Sequence, residues 1–474
     1  MYSFHKHAFW QTLNSIINVA FPLITFPYIT RLLGPENLGT VNYIDSCVQF
    51  IVFIAALGIP IYGVKELAVR AGHIEEQARV LYQLIALNLG ITLFAGFCFF
   101  FYIAEIDTNQ IPPELLLLSL VNLFAYPFIA EWFFQANQKF RYLFIRNFIL
   151  KLLLVFMILY LITNRNDYIR YYLLFTVMQV AYALWNGIVY LRVRPFKLGY
   201  LKKLSEHIKP LFTLFATMSC ISIYVYFDSI ILGYLKGLEE VGIYNAGIKV
   251  VRIILTCFIA PVSVLLPVLS SYASKQDYGR LDTIISNTIK LMLFIGIPLM
   301  TGLFLMAEPI ILLISGEEFL QSALVIKTLS PLPLIIGLSY LIGVNLLVPL
   351  GKTKKLLFVV FTTCLMGLPL QIILTNAYSF MGTAFATLLI EATVLLLCLL
   401  VVYKHIKFSF EKRFFFALLT ITIIPFLVFY WIGRLEISPV YMLSIFAISF
   451  CTLVTAFFYL FNAGVWLKNI NDHK

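Results

Sequence analysis

Long apolar runs alternate with short polar stretches along the whole chain. Each run holds about 20 residues, the length an α-helix needs to cross a hydrocarbon core of about 30 Å. The strands of a membrane barrel would alternate polar and apolar residues, and these segments do not. We predict about fourteen spans, at 8–30, 41–62, 80–103, 113–134, 143–162, 168–191, 211–235, 247–269, 284–306, 324–348, 356–375, 381–403, 414–432 and 440–461. The least certain division lies at 376–379, where the polar gap is short, and twelve is the main alternative count.

Composition supports an all-α polytopic membrane protein. The 474 residues are 61% hydrophobic and 12% charged, whereas about a quarter of a soluble domain is charged. The first run is long enough to span and is interrupted by Asn14 and Asn18, so it is predicted to be the first helix and not a cleavable signal peptide.

Lysine and arginine are concentrated in every second loop, which favours an even number of spans with both termini cytoplasmic. The net charge of +11 is largely this topology signal and does not indicate nucleic-acid binding. The basic segment 196–210 is predicted to be a cytoplasmic linker between six-helix lobes at 1–195 and 211–404. Residues 405–474 would add two transmembrane helices and a cytoplasmic tail.

One turn occurs twice. The pattern G-x-E-x-[LV]-G-x-x-N begins at Gly34 and again at Gly237, 203 residues later. A repeat of this size in an apolar chain indicates two pseudo-symmetric bundles, an arrangement typical of transporters with a site between the halves. The repeat residues singled out are Gly34, Glu36, Gly39, Gly237, Glu239 and Gly242.

Several charged side chains fall within the predicted spans, where each costs about 2.5–3.5 kcal/mol on insertion scales. Asn245, Lys249 and Arg252 follow at i, i+4 and i+7 and therefore share one helix face. They are candidates for lining a cavity, with snorkelling to the interface as the alternative. Three further cations are candidates for substrate binding: Arg31, Arg146 and Lys151. For Arg146, near the end of its span, snorkelling to the interface is the alternative.

Acids at depth are fewer. Asp228 and Glu391 are candidates for pairing the lobes, for holding a coupling ion (H⁺ or Na⁺), or for fixing helix packing. The first span carries a polar stripe formed by Asn14, Asn18, Thr25 and Tyr28. This stripe is predicted either to face a cavity or to join helices by hydrogen bonds.

The sequence contains no pattern for enzymatic chemistry. Its six histidines are all predicted in loops or termini, and no H-E-x-x-H, G-x-S-x-G or Walker A pattern occurs. The seven cysteines fall within apolar spans without metal-ligand spacing. We therefore predict a transporter that is not an enzyme and needs no cofactor or metal. Because bases outnumber acids at depth, and because Arg offers a planar fork to phosphate oxygens, an anionic cargo is favoured.

Four stretches carry a resemblance to a known family. They are Tyr28-Ile-Thr-Arg-Leu-Leu-Gly-Pro-Glu-Asn-Leu-Gly39, Tyr62-Gly-Val-Lys-Glu-Leu-Ala-Val-Arg70, Glu131-Trp-Phe-Phe-Gln-Ala-Asn-Gln-Lys-Phe140, and Asp228-Ser-Ile-Ile-Leu-Gly233 leading into Val241-Gly-Ile-Tyr-Asn-Ala246. The chain resembles Wzx-type oligosaccharide (O-antigen) flippases, in the superfamily of the multidrug and toxin extruders (MATE) and the lipid II flippase. Ala136 stands where the family pattern has Gly.

The resemblance implies a MATE-like fold in a bacterial cytoplasmic (inner) membrane. It implies that an undecaprenyl-pyrophosphate-linked oligosaccharide moves to the outer leaflet by alternating access, with Arg31, Lys249 and Arg252 contacting the headgroup. Expected partners are the lipid-linked oligosaccharide, bilayer lipids, a coupling ion and other polysaccharide-assembly membrane proteins. Two alternatives stay open: a sodium- or proton-coupled small-molecule exporter, and a membrane-embedded glycan polymerase or ligase, although the large outer loop typical of the latter is not evident.

Overall fold

The computed structural model of the chain describes residues 2–105, 111–403 and scattered positions between 418 and 452. The described residues form helices and no strand, as the apolar runs predict. They divide into two compact units at Gly242–Ile243. The predicted spans 414–432 and 440–461 lie outside the described residues, apart from single positions.

The first unit contains eight helices and the start of a ninth. Their bounds are α1 Tyr2–Ala56, α2 Ile59–Val69, α3 Ile74–Glu105, α4 Pro113–Ile129, α5 Glu131–Ala136, α6 Phe140–Leu161, α7 Tyr168–Val193, α8 Ser205–Lys236 and α9 Leu238–Ser263. The first arm of α1 packs against α6, and α4 packs against α7. Ala130 has a left-handed conformation (φ 36°, ψ 46°) and ends α4 inside the predicted span 113–134.

The two repeat turns have the same backbone conformation. Gly34 has φ 73° and ψ 175° and divides α1 into two arms. Gly237 has φ 99° and ψ 172° and separates α8 from α9. A residue with a side chain rarely adopts a positive φ, so glycine at the first position of each repeat has a physical reason.

The second unit continues α9 and adds the helices α10 Leu265–Ser274, α11 Tyr278–Leu305, α12 Ala307–Ile314, α13 Ser322–Leu329, α14 Leu332–Ile342 and α15 Thr353–Val402. The helix α15 contains a break at Tyr378 and Ser379, where Ser379 has φ 53° and ψ −136°. The hydroxyls of Thr375 and Thr383 lie 2.9 Å apart across this break. Eight residues of straight helix would separate these positions by about 12 Å, so the chain reverses there.

Nine helical stretches of the described chain are long and apolar enough to cross a membrane. One of these, Phe9–Val69, joins both arms of α1 to α2, and another, Thr353–Val402, contains the reversal at Ser379. Each therefore holds more than one predicted span. The polytopic helical fold is confirmed, and the count of fourteen spans stays a prediction.

Part of the predicted linker 196–210 packs on the first unit. Residues Leu198–Leu201 form a short 3-10 helix whose buried Tyr200 stacks on Tyr82, with ring centroids 6.2 Å apart. Arg194 donates from Nη2 to Gln77 Oε1 at 2.9 Å. The helix α8 begins within the linker, at Ser205. The lobe boundaries drawn from the repeat remain predictions.

The expectation that every histidine lies in a loop or terminus is wrong for His207. This residue lies in the first turn of α8 and is buried. Its Nδ1 is 2.9 Å from the Tyr62 hydroxyl and its Nε2 is 2.9 Å from Gln83 Oε1. Burial penalises the charged ring and lowers the pKa of His207. The sequence pattern missed this because the basic residues around it are typical of an exposed loop.

Candidate functional site

Arg146 is the most completely buried cation of the first unit, with 1% of its surface exposed. Its Nη2 pairs with Glu131 Oε1, and its Nε donates to Asn147 Oδ1 at 3.1 Å. Its guanidinium carbon lies 4.7 Å from the centre of the Tyr182 ring. Arg146 was a candidate either for lining a cavity or for snorkelling. Such complete burial rules out snorkelling and gives the guanidinium a fixed position.

Two polar contacts join the first arm of α1 to α6 at successive helical turns. Asn147 Nδ2 donates to Asn14 Oδ1 at 2.8 Å, and Lys151 Nζ donates to Asn18 Oδ1 at 2.5 Å. Both helices advance by four residues between the contacts, so they run parallel. The first arm of α1 is the first predicted span and α6 is the fifth, and two odd-numbered spans cross the membrane in the same direction. We call the residues Asn14, Asn18, Glu131, Arg146, Asn147 and Lys151 the polar ladder.

The rest of the predicted stripe on the first span serves helix contacts. The Tyr28 hydroxyl donates to the carbonyl of Ile162 at 2.6 Å, beyond the end of α6. Thr25 donates to the carbonyl of Phe21 in its own helix. In the described contacts, Asn18 meets the charged Lys151, and Asn14 meets the neutral Asn147, which in turn accepts from Arg146.

The charges of the polar ladder do not cancel. Arg146 is compensated by Glu131, whose side chain is 38% exposed. Lys151 is half-buried and contacts a neutral amide. One carboxylate, Glu131, stands against two cations, Arg146 and Lys151, so its charge offsets only one of them. The ladder therefore has a net positive end at Lys151.

A cavity of about 200 Å³ adjoins the ladder. Glu131 lines it together with the amides of Asn88 and Gln135, and Trp132 forms part of its wall. It lies within the first unit, between residues of α2, α3, α4 and α5. The side chain of Glu131 is 38% exposed beside this cavity, whereas that of Arg146 is fully buried.

The two repeat turns contact each other within the first unit. A Cβ built on Gly39 would lie 1.7 Å from the carbonyl oxygen of Leu238. A Cβ built on Gly242 would lie 1.9 Å from the carbonyl oxygen of Pro35. In each case the sixth residue of one repeat meets the second residue of the other. The contact is reciprocal, and the third residues of the repeats, Glu36 and Glu239, are exposed beside it.

The second group of predicted site residues lies on α9, which is helical throughout Leu238–Ser263. Asn245 and Lys249 are half-buried and Arg252 is exposed, so the three share a helix face as the spacing predicts. Glu391 on α15 is buried, and Asp228 on α8 is buried in the first unit. Arg31, at the end of the first arm of α1, is exposed. Their roles in binding or coupling remain predictions.

Sequence reasoning missed Asn147 and Tyr182. Asn147 accepts from Arg146 and donates to Asn14, which makes it the central member of the ladder. Its place beside Arg146 in a span was the available signal, because an Arg-Asn pair at depth is costly unless both find partners. Within the described part of the chain, no group of three or more His, Cys, Asp or Glu side chains is arranged to hold a metal ion.

Comparison with known proteins places the chain in a family. The family described as "Polysaccharide biosynthesis protein" matches residues 4–273, more than half of the chain. The chain is 24% identical over 409 residues to a protein of Escherichia coli (strain K12) named "Putative O-antigen transporter", covering 82% of this chain and 94% of that protein. It is 26% identical over 191 residues to the "Probable low-salt glycan biosynthesis flippase Agl15" of Haloferax volcanii, covering 40% of each.

Solved structures share the fold. The lipid II flippase MurJ in an inward closed conformation superposes with a TM-score of 0.78 at 15% identity, covering 94% of this chain and 98% of that one. An inward-facing multidrug resistance MATE family transporter superposes with a TM-score of 0.59 at 14% identity, covering 82% and 92%. The resemblance in the motifs and the MATE-like fold are both confirmed, and the chain belongs to the polysaccharide biosynthesis protein family.

Proposed function

We propose that this protein is a flippase that moves an undecaprenyl-pyrophosphate-linked oligosaccharide from the cytoplasmic to the outer leaflet of a bacterial cytoplasmic membrane. Its relatives are named as an O-antigen transporter and a glycan flippase, and its fold is that of a lipid II flippase. The observation that carries the proposal is the polar ladder, because it keeps a half-buried cation, Lys151, within an apolar helix.

In this proposal Lys151 contacts the pyrophosphate and Arg146 positions the ladder. Arg146 is already paired with Glu131 and stacked on Tyr182, so it fixes the direction of α6 more than it offers charge. Further contacts to the anionic headgroup come from the exposed Arg31 and Arg252, the half-buried Lys249, and Asn245. Phosphate oxygens suit both ammonium and guanidinium donors.

The proposed mechanism is alternating access without covalent chemistry. The contact between the repeat turns at Gly39 and Gly242 is the element that would open and re-form during the cycle. Two backbones pack there without intervening side chains, so the contact can separate without breaking an ion pair. Asp228 and Glu391 are the candidates for coupling to H⁺ or Na⁺, since both are buried carboxyl groups in an apolar chain.

The test is translocation of a lipid-linked oligosaccharide in proteoliposomes that contain only the purified protein. Lys151→Gln should slow translocation at least about tenfold, since one charge-assisted contact is worth about 1.5–3 kcal/mol. Arg252→Gln and Arg31→Gln should each slow it less, because both side chains are exposed. The matched control is Lys355→Gln, an exposed cation near the start of α15, which should leave the rate unchanged.

Unchanged translocation in both Lys151→Gln and Arg252→Gln would contradict the assignment of the cations. A sodium- or proton-coupled small-molecule exporter is the second candidate, favoured by the buried Asp228 and Glu391. It predicts drug efflux that is lost in Asp228→Asn or Glu391→Gln and is insensitive to Lys151→Gln. Glycan chain extension by the purified protein would instead indicate a polymerase or ligase.

A further inference from the structure

A second cavity of the first unit lies at the start of α6 and shares Arg146 with the polar ladder. It measures about 430 Å³ and is lined by Lys139, Arg141, Tyr142, Ile145 and Arg146 at the start of α6 and by Trp185 of α7. Its volume lies within the range of about 300–1,000 Å³ that is typical of small-molecule sites. We call it the α6–α7 groove.

The α6–α7 groove lies among exposed apolar side chains. On α6 the neighbouring Phe148 and Ile149 are exposed, and on α7 Leu184 and Ile188 are exposed. Exposed apolar residues at helical spacing on a membrane helix are those that contact lipid tails. Lipid chains in the bilayer can therefore reach the groove directly.

The accessible wall of the groove is almost entirely apolar, and exposed cations border it. Lys139 and Arg141 are exposed, whereas Arg146 forms a buried part of the wall. Three of the six lining residues carry positive charge and none is acidic. Tyr142, Ile145 and Trp185 supply apolar wall, and Tyr and Trp are the residues that favour the level of lipid headgroups.

Existing contacts hold these residues in place. The Tyr142 hydroxyl donates to Asn186 Oδ1 at 2.9 Å, which joins α6 to α7 beside the groove. The guanidinium carbon of Arg141 lies 5.7 Å from the centre of the Trp10 ring.

We propose that the α6–α7 groove binds an anionic bilayer phospholipid. Its phosphate would contact Lys139 and Arg141, and an acyl chain would lie along Tyr142, Ile145 and Trp185. Charge complementarity selects the anionic headgroup, and basic pockets between membrane helices on the cytoplasmic side are suited to such lipids. The lysine and arginine bias places the start of α6 on that side. This lipid is a bound component of the membrane and not the transported cargo.

The experiment measures lipid binding to the purified full-length chain in detergent. Phosphatidylglycerol is added, with phosphatidylcholine as the neutral comparison. Bound lipid is counted by native mass spectrometry and the melting temperature is recorded. The wild type should retain phosphatidylglycerol and gain thermal stability from it, while phosphatidylcholine should have a smaller effect on both. Equal retention of the two lipids would overturn the proposal.

Three variants locate the site. The double variant Lys139→Gln/Arg141→Gln should lose at least about tenfold in phosphatidylglycerol affinity, since it removes both cations that contact the phosphate. Ile145→Trp fills the groove without changing charge and should also lose binding. Lys354→Gln/Lys355→Gln removes the same charge from exposed residues of the second unit and should bind as the wild type does.

Two further results would overturn the proposal. If Ile145→Trp binds as the wild type does and both charge-removed variants bind weakly, the attraction comes from net charge and the groove is not the site. If a polyprenyl pyrophosphate displaces phosphatidylglycerol at a tenth of its concentration from wild type but not from Ile145→Trp, the groove is a cargo site. Neither result depends on translocation, so failure here is distinguishable from failure of the proposed flippase activity.

Discussion

Gly39 touches the backbone of Leu238: a Cβ at Gly39 would lie only 1.7 Å from the Leu238 carbonyl oxygen. Gly242 stands in the same relation to Pro35. Leu238 thus occupies the space that a side chain at position 39 would need, and Pro35 occupies the space that a side chain at position 242 would need. Because the two turns contact each other in the same way, both Gly39 and Gly242 must lack a side chain.

Replacing either glycine should therefore destabilise the contact. Gly39→Ala and Gly242→Ala should each lower stability by about 1–3 kcal/mol, the usual cost of overpacking, and should slow translocation. Gly90→Ala is the matched control, because Gly90 lies within α3 and a Cβ there meets nothing within 4 Å. Alanine normally stabilises a helix relative to glycine, so Gly90→Ala should be neutral or stabilising. Equal melting temperatures for all three variants would contradict the contact.

The Arg146–Glu131 pair should respond asymmetrically to mutation. The Arg146 side chain is fully buried whereas that of Glu131 is 38% exposed. Glu131→Gln leaves a buried cation without its compensating charge, which costs about 3–5 kcal/mol. Arg146→Met leaves a carboxylate that water can reach through the adjoining cavity, and should cost less.

Thermal unfolding of the two single variants and the double variant Arg146→Met/Glu131→Gln measures this difference. The double variant should be more stable than Glu131→Gln alone, since it removes the uncompensated charge. If Arg146→Met is the more damaging single change, then the packing of Arg146 on Tyr182 contributes more to stability than its charge pairing with Glu131 does.

The contact of α8 with α2 and α3 should weaken in acid. The pKa of His207 is lowered from 6.5 by burial, even though the nearby Glu66 acts to raise it. Below about pH 6.5 the unfolded chain binds a proton that the folded chain excludes, so stability falls as the pH falls through the unfolded value. The melting temperature of the wild type should therefore drop between about pH 7.5 and about pH 5.5.

His207→Gln provides the control for this pH dependence. Glutamine can hydrogen-bond Tyr62 and Gln83 but does not titrate, so the variant should show a shallower decrease over the same range. Its melting temperature at the upper pH should be close to that of the wild type. An identical slope in both proteins would assign the pH dependence to other groups.

The reversal within α15 should be improved by glycine. Ser379 has φ 53° and ψ −136°, a region that residues with side chains seldom occupy and that costs about 1–3 kcal/mol. Ser379→Gly should therefore raise the melting temperature. Ser270→Gly, at an exposed position within α10, should lower it, because glycine weakens an ordinary helix. A lowered melting temperature for Ser379→Gly would contradict the strained turn.

Much of the fold could be predicted because its elements are local. A run of about 20 apolar residues forms a helix wherever it lies in the chain, since lipid offers its backbone no other partner. The predicted boundaries at 143–162 and 168–191 differ by only a few residues from α6 Phe140–Leu161 and α7 Tyr168–Val193. The break at Ala130 was missed, because a left-handed alanine has no local sequence signal.

The candidate site could be predicted only in part. Charge at depth identified Arg146 and Lys151, and the stripe on the first span identified Asn14 and Asn18, but no pattern indicated that these residues meet. Their pairing depends on α1 and α6 running side by side, more than a hundred residues apart in sequence. His207 was misplaced for the same kind of reason, because its partners come from α2 and α3.

The sequence by itself determined that this chain is a helical membrane protein, that a turn is repeated and that cations lie within its spans, because hydropathy and residue identity are local properties. Tertiary structure alone decided that the repeat turns touch through Gly39 and Gly242, that Arg146 is neutralised by Glu131, and that Lys151 is left with a neutral amide. Those relations depend on distances between segments far apart in the chain, and packing sets such distances.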